Sequence, residues 1–135
     1  MAILVDTGVL YALADRDDAW HHRARVWLDA QRQLLLVAVT VLPEVAYLLH
    51  TRLGPAAEVA FIKDVATDAL EVEALRARDC ERCCELMERY PDIGFVDASL
   101  VAIAERLKIA TLATTDRRHF RSVVPKHVRA FHLVP

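Results

Sequence analysis

The sequence predicts an α/β fold in which helices cover both faces of a parallel sheet of four to five strands. Short, wholly apolar runs at residues 1–5 and 34–39 are typical of strands that are buried on both faces. Helical segments follow these runs, and strands that alternate with helices indicate a parallel sheet. The chain has 135 residues, of which 55% are hydrophobic, so we expect one domain, residues 1–135, with a sizeable core.

The first half of the chain is predicted to hold two strands and four helices. In chain order these are a strand at 1–5, helices at 7–13 and 19–31, a strand at 34–39, and helices at 41–53 and 55–68. Ala24, Trp27 and Leu28 support the second helix because they recur at helical spacing. Thr40 is expected to cap the third helix, and Gly54-Pro55 is expected to end it and begin the fourth.

The second half is predicted to hold two helices and the remaining strands. These are a strand at 70–75, helices at 79–89 and 97–107, and strands within 108–115 and 128–134. The alternation of Leu70, Val72 and Ala74 indicates a more exposed strand. Asp79 is expected to cap the helix that follows it, and residues 97–107 are strongly apolar.

Composition narrows the class of protein. The net charge of −2 provides no global basic field, so contact with a polyanion must be local or mediated by a metal. No apolar run approaches the ~18–20 residues of a membrane span, and no secretory leader is visible, so we expect a cytoplasmic protein. Cys80, Cys83 and Cys84 form an odd, clustered set that suits small apolar packing on one helix face better than disulfides.

Four acidic residues, Asp6, Glu44, Asp97 and Asp116, stand where hydrophobic runs stop. An isolated buried carboxylate is costly unless it is paired, protonated or bound to a metal. In open α/β sheets the carboxyl ends of the strands share one edge, so we expect the four acids to meet there. A pocket of carboxylates suits Mg²⁺ or Mn²⁺, and the chemistry that such a site favours is phosphodiester hydrolysis.

Each of these acids also has an ordinary structural interpretation. Asp97 is suited to capping a helix, Asp116 to opening a turn, and Glu44 to the first turn of a helix. The basic residues Arg117 and Arg118 follow the last acid. Their run is interpreted either as a solvated turn or as a group that positions phosphates at the mouth of the site.

Four motifs covering nearly the whole chain resemble the PIN-domain family, and in particular its VapC ribonuclease toxins. They are Val5-Asp6-Thr7-Gly8-Val9-Leu10, Thr40-Val41-Leu42-Pro43-Glu44-Val45, Val96-Asp97-Ala98-Ser99-Leu100-Val101-Ala102 and Thr114-Thr115-Asp116-Arg117-Arg118-His119-Phe120. Each motif alone is weakly specific, but the set in this order is much more so. At Gly8 many members of the family carry Ser, so the chain departs from the common pattern there.

The resemblance implies a three-layer α/β/α PIN fold and an endoribonuclease that depends on Mg²⁺ or Mn²⁺. It implies a homodimer that is inhibited by a small VapB-like antitoxin. The metal-site acids of the family correspond to Asp6, Glu44, Asp97 and Asp116, and its supporting hydroxyl residues correspond to Thr7 and Thr114.

Two hypotheses for function follow. In the first, Asp6, Asp97 and Asp116 bind one or two cations, while Glu44 either binds the second cation or orients the attacking water. RNA would be cut to leave a 5′-phosphate and a 3′-hydroxyl. In the second, the acidic rim belongs to a non-catalytic binding module that holds a cation or a basic antitoxin segment. Cleavage of RNA by partner-free protein distinguishes the two.

Overall fold

A computed structural model describes residues 1–135 and has a five-stranded parallel sheet at its centre, as predicted. The strands are β1 Ala2–Val5, β2 Leu34–Ala38, β3 Glu71–Glu73, β4 Thr111–Ala113 and β5 His132–Val134. They lie in the order β3-β2-β1-β4-β5, and every neighbouring pair is parallel. The chain order reverses at β1, so the switch point that commonly holds ligands in such sheets lies between β1 and β4.

Seven helices flank the sheet. They are α1 Thr7–Ala14, α2 His21–Ala30, α3 Val41–Leu53, α4 Pro55–Ala66, α5 Ala77–Arg89, α6 Phe95–Leu107 and α7 Arg117–Ser122. Helix α3 contacts α1 and α4, α1 also contacts α2, and α5 packs against α6. This arrangement confirms the predicted three-layer α/β/α fold. None of the seven helices combines the length and the apolar character that crossing a bilayer requires.

Burial explains why the most apolar segments occupy the centre. Ile3, Leu4 and Val5 of β1 are all buried, as a strand with neighbours on both sides and helices on both faces must be. Helix α6 is buried from Ala98 to Glu105, which accounts for its strongly apolar sequence. Strand β3 lies at an edge and is only half-buried at best, in agreement with the expectation of a more exposed strand.

The register between β1 and β4 brings together residues that are far apart in the chain. Val5 is paired with Ala113, and the backbone N–H of Asp6 donates to the carbonyl of Ala113 at 2.8 Å. The N–H of Thr114 continues the ladder to Val134 of β5, also at 2.8 Å. The first residues beyond β1 and β4 are therefore neighbours at the carboxyl edge of the sheet.

One of the two predicted helix caps was wrong. Thr40 occupies the N-cap position of α3 as predicted, although its side chain makes no capping bond and its hydroxyl instead lies 2.6 Å from that of Ser99. The predicted cap of α5 was wrong, because Arg76 rather than Asp79 is its N-cap residue. Asp79 is the third residue of α5, and it accepts a hydrogen bond at 2.9 Å from the backbone N–H of Arg76. It acts on the N-terminus of the helix from inside the first turn, as the acidic residue of a capping box does.

Buried ion pairs join α5 to α6. Arg106 contacts both carboxylate oxygens of Asp79 at 2.9 and 3.1 Å, and Arg82 contacts both oxygens of Glu105 at 2.8 and 3.1 Å. Burial raises the pKa of Asp79, but the hydrogen bonds from Arg106 and Arg76 outweigh it, so the net pKa is lowered. These pairs hold the C-terminal half of α6 against α5.

The cysteines on α5 have no disulfide partners. Cys83 is buried and packs in the core as expected, whereas Cys80 and Cys84 are exposed. The prediction that all three serve as small packing residues holds for Cys83 alone.

Candidate active site

Asp6 is the most constrained of the four acids. It follows β1, and only 7% of its surface is exposed. One carboxylate oxygen, Oδ1, accepts from the backbone N–H of Thr7 at 2.7 Å, and the other, Oδ2, accepts from the hydroxyl of Thr114 at 3.0 Å. Both oxygens are therefore held in fixed positions by groups at the ends of β1 and β4.

Thr114 connects two of the acids. Its side chain is fully buried, and its hydroxyl oxygen also accepts from the backbone N–H of Asp116 at 3.0 Å. One hydroxyl therefore orients the carboxylate of Asp6 and fixes the backbone that carries Asp116. Thr114 therefore lies between two of the acids that it was predicted to support.

The carboxylates of Asp97 and Asp116 both contact the ring of His119. Asp97 is the third residue of α6, and His119 Nδ1 lies 3.2 Å from its Oδ2. The same Nδ1 lies 2.9 Å from Oδ2 of Asp116. The side chain of Asp97 is 21% exposed and that of Asp116 is 48% exposed, so these two residues form the more solvent-exposed side of the site.

The charges of the four acids act on one another. Burial, together with the negative charges of Asp97 and Glu44, outweighs the hydrogen bonds from Thr7 and Thr114 and raises the pKa of Asp6 to about 6. Burial also raises the pKa of Asp97; the contact with His119 lowers it, while the charges of Asp116 and Glu44 raise it.

The charge of Glu44 acts on Asp6 and Asp97 from the first turn of α3, where its side chain is exposed. The fold thus brings Asp97 and Asp116 together at His119, links Asp6 to Asp116 through Thr114, and leaves Glu44 outside this group of contacts. The alternative in which Asp97 caps a helix is not observed, because Gly94 occupies the N-cap position of α6. Asp116 precedes α7 and likewise makes no side-chain capping bond.

The two predicted hydroxyls differ in what they contact. Thr114 bonds to Asp6 as described, whereas Thr7 contributes its backbone N–H and leaves its buried hydroxyl without a partner. A side chain at Gly8 would overlap the hydroxyl of Thr115, so the close approach of these two segments explains the absence of the more common Ser.

The two arginines after Asp116 also differ. Arg117 donates to the carbonyl of Pro135 and lies 5.7 Å from the centre of the Trp20 ring, so it is engaged within the chain. Arg118 is exposed and makes no hydrogen bond to protein. Of this pair, Arg118 is the one that is free to contact a ligand.

His119 is a site residue that the sequence analysis named only as part of the last motif, directly after Arg117 and Arg118. The structure has a helix, α7, beginning directly after Asp116, which brings the residue three positions later back beside that acid. The presence of Phe120, which is buried, was the available signal that this run packs against the core rather than forming a free turn.

The donor set fits a hard divalent cation. Carboxylate oxygens predominate, and such ligands suit Mg²⁺ or Mn²⁺. Burial, and to a smaller extent the charges of neighbouring carboxylates, raises the pKa values of Asp6 and Asp97. A cation relieves both effects, and the buried hydroxyl of Thr7 is a further polar group at the same edge.

Comparison with known proteins shows the family to which the chain belongs. The family described as "PIN domain" matches residues 3–124. The chain is 32% identical to Ribonuclease VapC26 of Mycobacterium tuberculosis (strain ATCC 25618 / H37Rv), over 98% of this chain and 100% of that protein.

Two solved structures also share the fold. VapC20 of Mycobacterium tuberculosis, described as a Sarcin-Ricin loop cleaving toxin, is 27% identical with a TM-score of 0.83, over 94% of this chain and 98% of VapC20. A chain from a toxin-antitoxin complex of Klebsiella pneumoniae is 19% identical with a TM-score of 0.70, over 90% and 92% of the two chains. Because the family match covers most of the chain and the identity to VapC26 extends over nearly the whole of both proteins, the chain belongs to the PIN domain family.

Proposed function

We propose that this chain is the toxin of a toxin–antitoxin pair and a cation-dependent endoribonuclease. The observation that carries the proposal is the Asp6 carboxylate, which is buried, held by Thr7 and Thr114, and subject to the negative charges of Asp97 and Glu44. Similarity to proteins named as a ribonuclease and as a ribosomal-loop-cleaving toxin supports RNA as the substrate. Residues 1–135 would act as one PIN domain, because a single sheet and one core cluster extend through them.

Asp6, Asp97 and Asp116 would hold the cation, either Mg²⁺ or Mn²⁺. When bound, such an ion polarises the scissile phosphate and lowers the pKa of a water molecule at the site. Thr114 keeps Asp6 and the backbone of Asp116 in place, so little reorganisation is needed during the reaction. Exposed Glu44 would either bind a second cation or orient the attacking water by accepting a hydrogen bond from it.

RNA would approach from the side of Asp116 and α7. Exposed Arg118 and Arg121 lie on α7 and supply a local positive charge on a chain that is otherwise slightly acidic. Such residues position the phosphate backbone without reading its sequence. In-line hydrolysis would leave a 5′-phosphate and a 3′-hydroxyl.

An antitoxin partner is supported by an apolar groove between α1, α2 and α4. The groove has a volume of about 470 Å³ and is lined mainly by hydrophobic side chains, among them Leu10, Leu13, Trp27, Leu28 and Phe61. Arg25 and Asp64 also line the groove and provide polar anchors. We propose a short antitoxin segment with apolar side chains as the occupant of this groove. We also propose that the pair acts in the cytoplasm, where its RNA substrate would be present.

Self-association is proposed for the outer surface of α3 and α4. Tyr47, Val59 and Ile62 are exposed there at 67%, 51% and 47%. Aliphatic and aromatic side chains that are this exposed on adjacent helices are typical of an interface. We therefore propose a homodimer that covers this surface.

Cleavage by the partner-free protein tests the proposed activity. A panel of structured RNAs is incubated with Mg²⁺ or Mn²⁺, with EDTA as the control, and the new ends are mapped. We expect Asp6→Asn to abolish cleavage. Asp92→Asn, which alters an exposed loop acid outside the set of proposed cation ligands, should retain it.

Full Mg²⁺-dependent cleavage by folded Asp6→Asn would refute the proposed mechanism. Cation binding without cleavage of any RNA in the panel would instead favour the non-catalytic binding module.

A further inference from the structure

His119 lies between carboxylates that come from two different elements. Its Nδ1 is 2.9 Å from Oδ2 of Asp116 and 3.2 Å from Oδ2 of Asp97. All three candidate ligand atoms lie within 4.8 Å of one another. Helix α7 supplies the histidine and α6 supplies Asp97, so the packing of these elements creates the arrangement.

The spacing suits neighbouring ligands of one ion. Octahedral Mg²⁺ has ligand distances of about 2.0–2.1 Å, so adjacent ligands lie about 3.0 Å apart. The two separations from Nδ1, 2.9 and 3.2 Å, are close to this value. The same separations fit hydrogen bonds from a ring N–H, so an experiment has to distinguish a ligand from a hydrogen-bond donor.

We propose that His119 is a protein ligand of the catalytic cation, together with Asp97 and Asp116. This inference rests on the proposed function, since it concerns the same site, and it goes beyond the four acids by adding a nitrogen donor. Imidazole is a softer ligand than carboxylate, whereas Mg²⁺ prefers an all-oxygen shell. His119 would therefore shift the preference of the site toward Mn²⁺ and Co²⁺ and away from Mg²⁺.

The direct test is pulsed EPR of the full chain with Mn²⁺ and no RNA. We expect ¹⁴N modulation from a bound imidazole in the wild type and its loss in His119→Ala. Removing the ligand should weaken Mn²⁺ binding by about tenfold or more, as the loss of metal-site contacts commonly does. Mg²⁺ binding, measured by competition, should change much less.

Two further variants sharpen the test. His119→Asp replaces the nitrogen with oxygen, so it should bind a cation without ¹⁴N modulation and with a preference shifted toward Mg²⁺. His22→Ala removes an exposed histidine on α2 and should leave both measurements unchanged.

The outcomes separate this inference from the proposed function. Bound Mn²⁺ without ¹⁴N modulation in the wild type, or an equal loss of Mn²⁺ and Mg²⁺ affinity in His119→Ala, overturns the ligand assignment alone. Wild-type protein that binds no Mn²⁺ overturns both. Nitrogen-coupled Mn²⁺ in a protein that cleaves no RNA supports the ligand assignment and overturns the proposed function.

Discussion

Replacing Asp6 with Asn should stabilise the metal-free protein at neutral pH while removing its activity. The pKa of Asp6 is raised from 3.8 to about 6 by burial and by the charges of Asp97 and Glu44, so the ionised carboxylate opposes folding. The difference between the two values, at about 1.36 kcal/mol per pKa unit, corresponds to about 3 kcal/mol. Asn has nearly the same size and can still accept from Thr7, so we expect a gain of about 1–3 kcal/mol.

The size of the effect depends on pH. Below pH 3.8 the carboxyl group is protonated in both states, so wild type and variant should have similar stability. As pH rises toward 6, the unfolded state loses its proton first, and wild-type stability falls relative to that of the variant. Above this range the difference should remain constant.

Urea unfolding between about pH 4 and 8 in the presence of EDTA measures this difference. Asp92→Asn serves as the matched control because its carboxylate is exposed in a loop. Addition of Mg²⁺ or Mn²⁺ should reverse the order, since a ligand of the folded state stabilises the wild type selectively. A metal-free Asp6→Asn variant that is less stable than wild type at neutral pH would refute the reasoning, as would a difference that is independent of pH.

Three further changes test other parts of the structure. Thr114→Val removes a buried hydrogen bond to a carboxylate, worth about 1.5–3 kcal/mol, so kcat should fall about 10–100-fold while Thr115→Val has a smaller effect. Asp79→Ala leaves Glu73 as the only ion-pair partner of buried Arg106. The free energy of unfolding, measured with urea at pH 7, should therefore fall by about 3 kcal/mol. Because the pKa of Asp79 is lowered in the fold, that cost should shrink as pH falls below 3.8; an unchanged cost at acid pH would contradict it. Ile62→Glu should convert the proposed dimer to a monomer in light scattering, whereas Lys63→Glu on the same helix should not.

The sheet and the acidic edge could be predicted because they depend on local patterns. An apolar run that ends in Asp6 specifies a buried strand with a carboxylate at its end, and the paired strand before Thr114 and Asp116 has the same pattern. Parallel packing then brings such ends to one edge whatever the details of the helices.

The contacts that complete the site depend on tertiary structure. The hydrogen bond between the hydroxyls of Thr40 and Ser99 joins residues 59 positions apart, so no local sequence pattern predicts it. Helix α7 has only six residues and little apolar periodicity, and its start was therefore interpreted as a turn. Without that helix, the position of His119 beside Asp116 could not be foreseen.

The order of the strands has a consequence for synthesis of the protein. Asp6 emerges from the ribosome 108 residues before Thr114, and β4 must insert beside β1 before the two meet. A nascent chain therefore has no assembled acidic centre until Thr114 and Asp116 have been translated and β4 has found its place. Any activity of this centre would begin only after that step of folding.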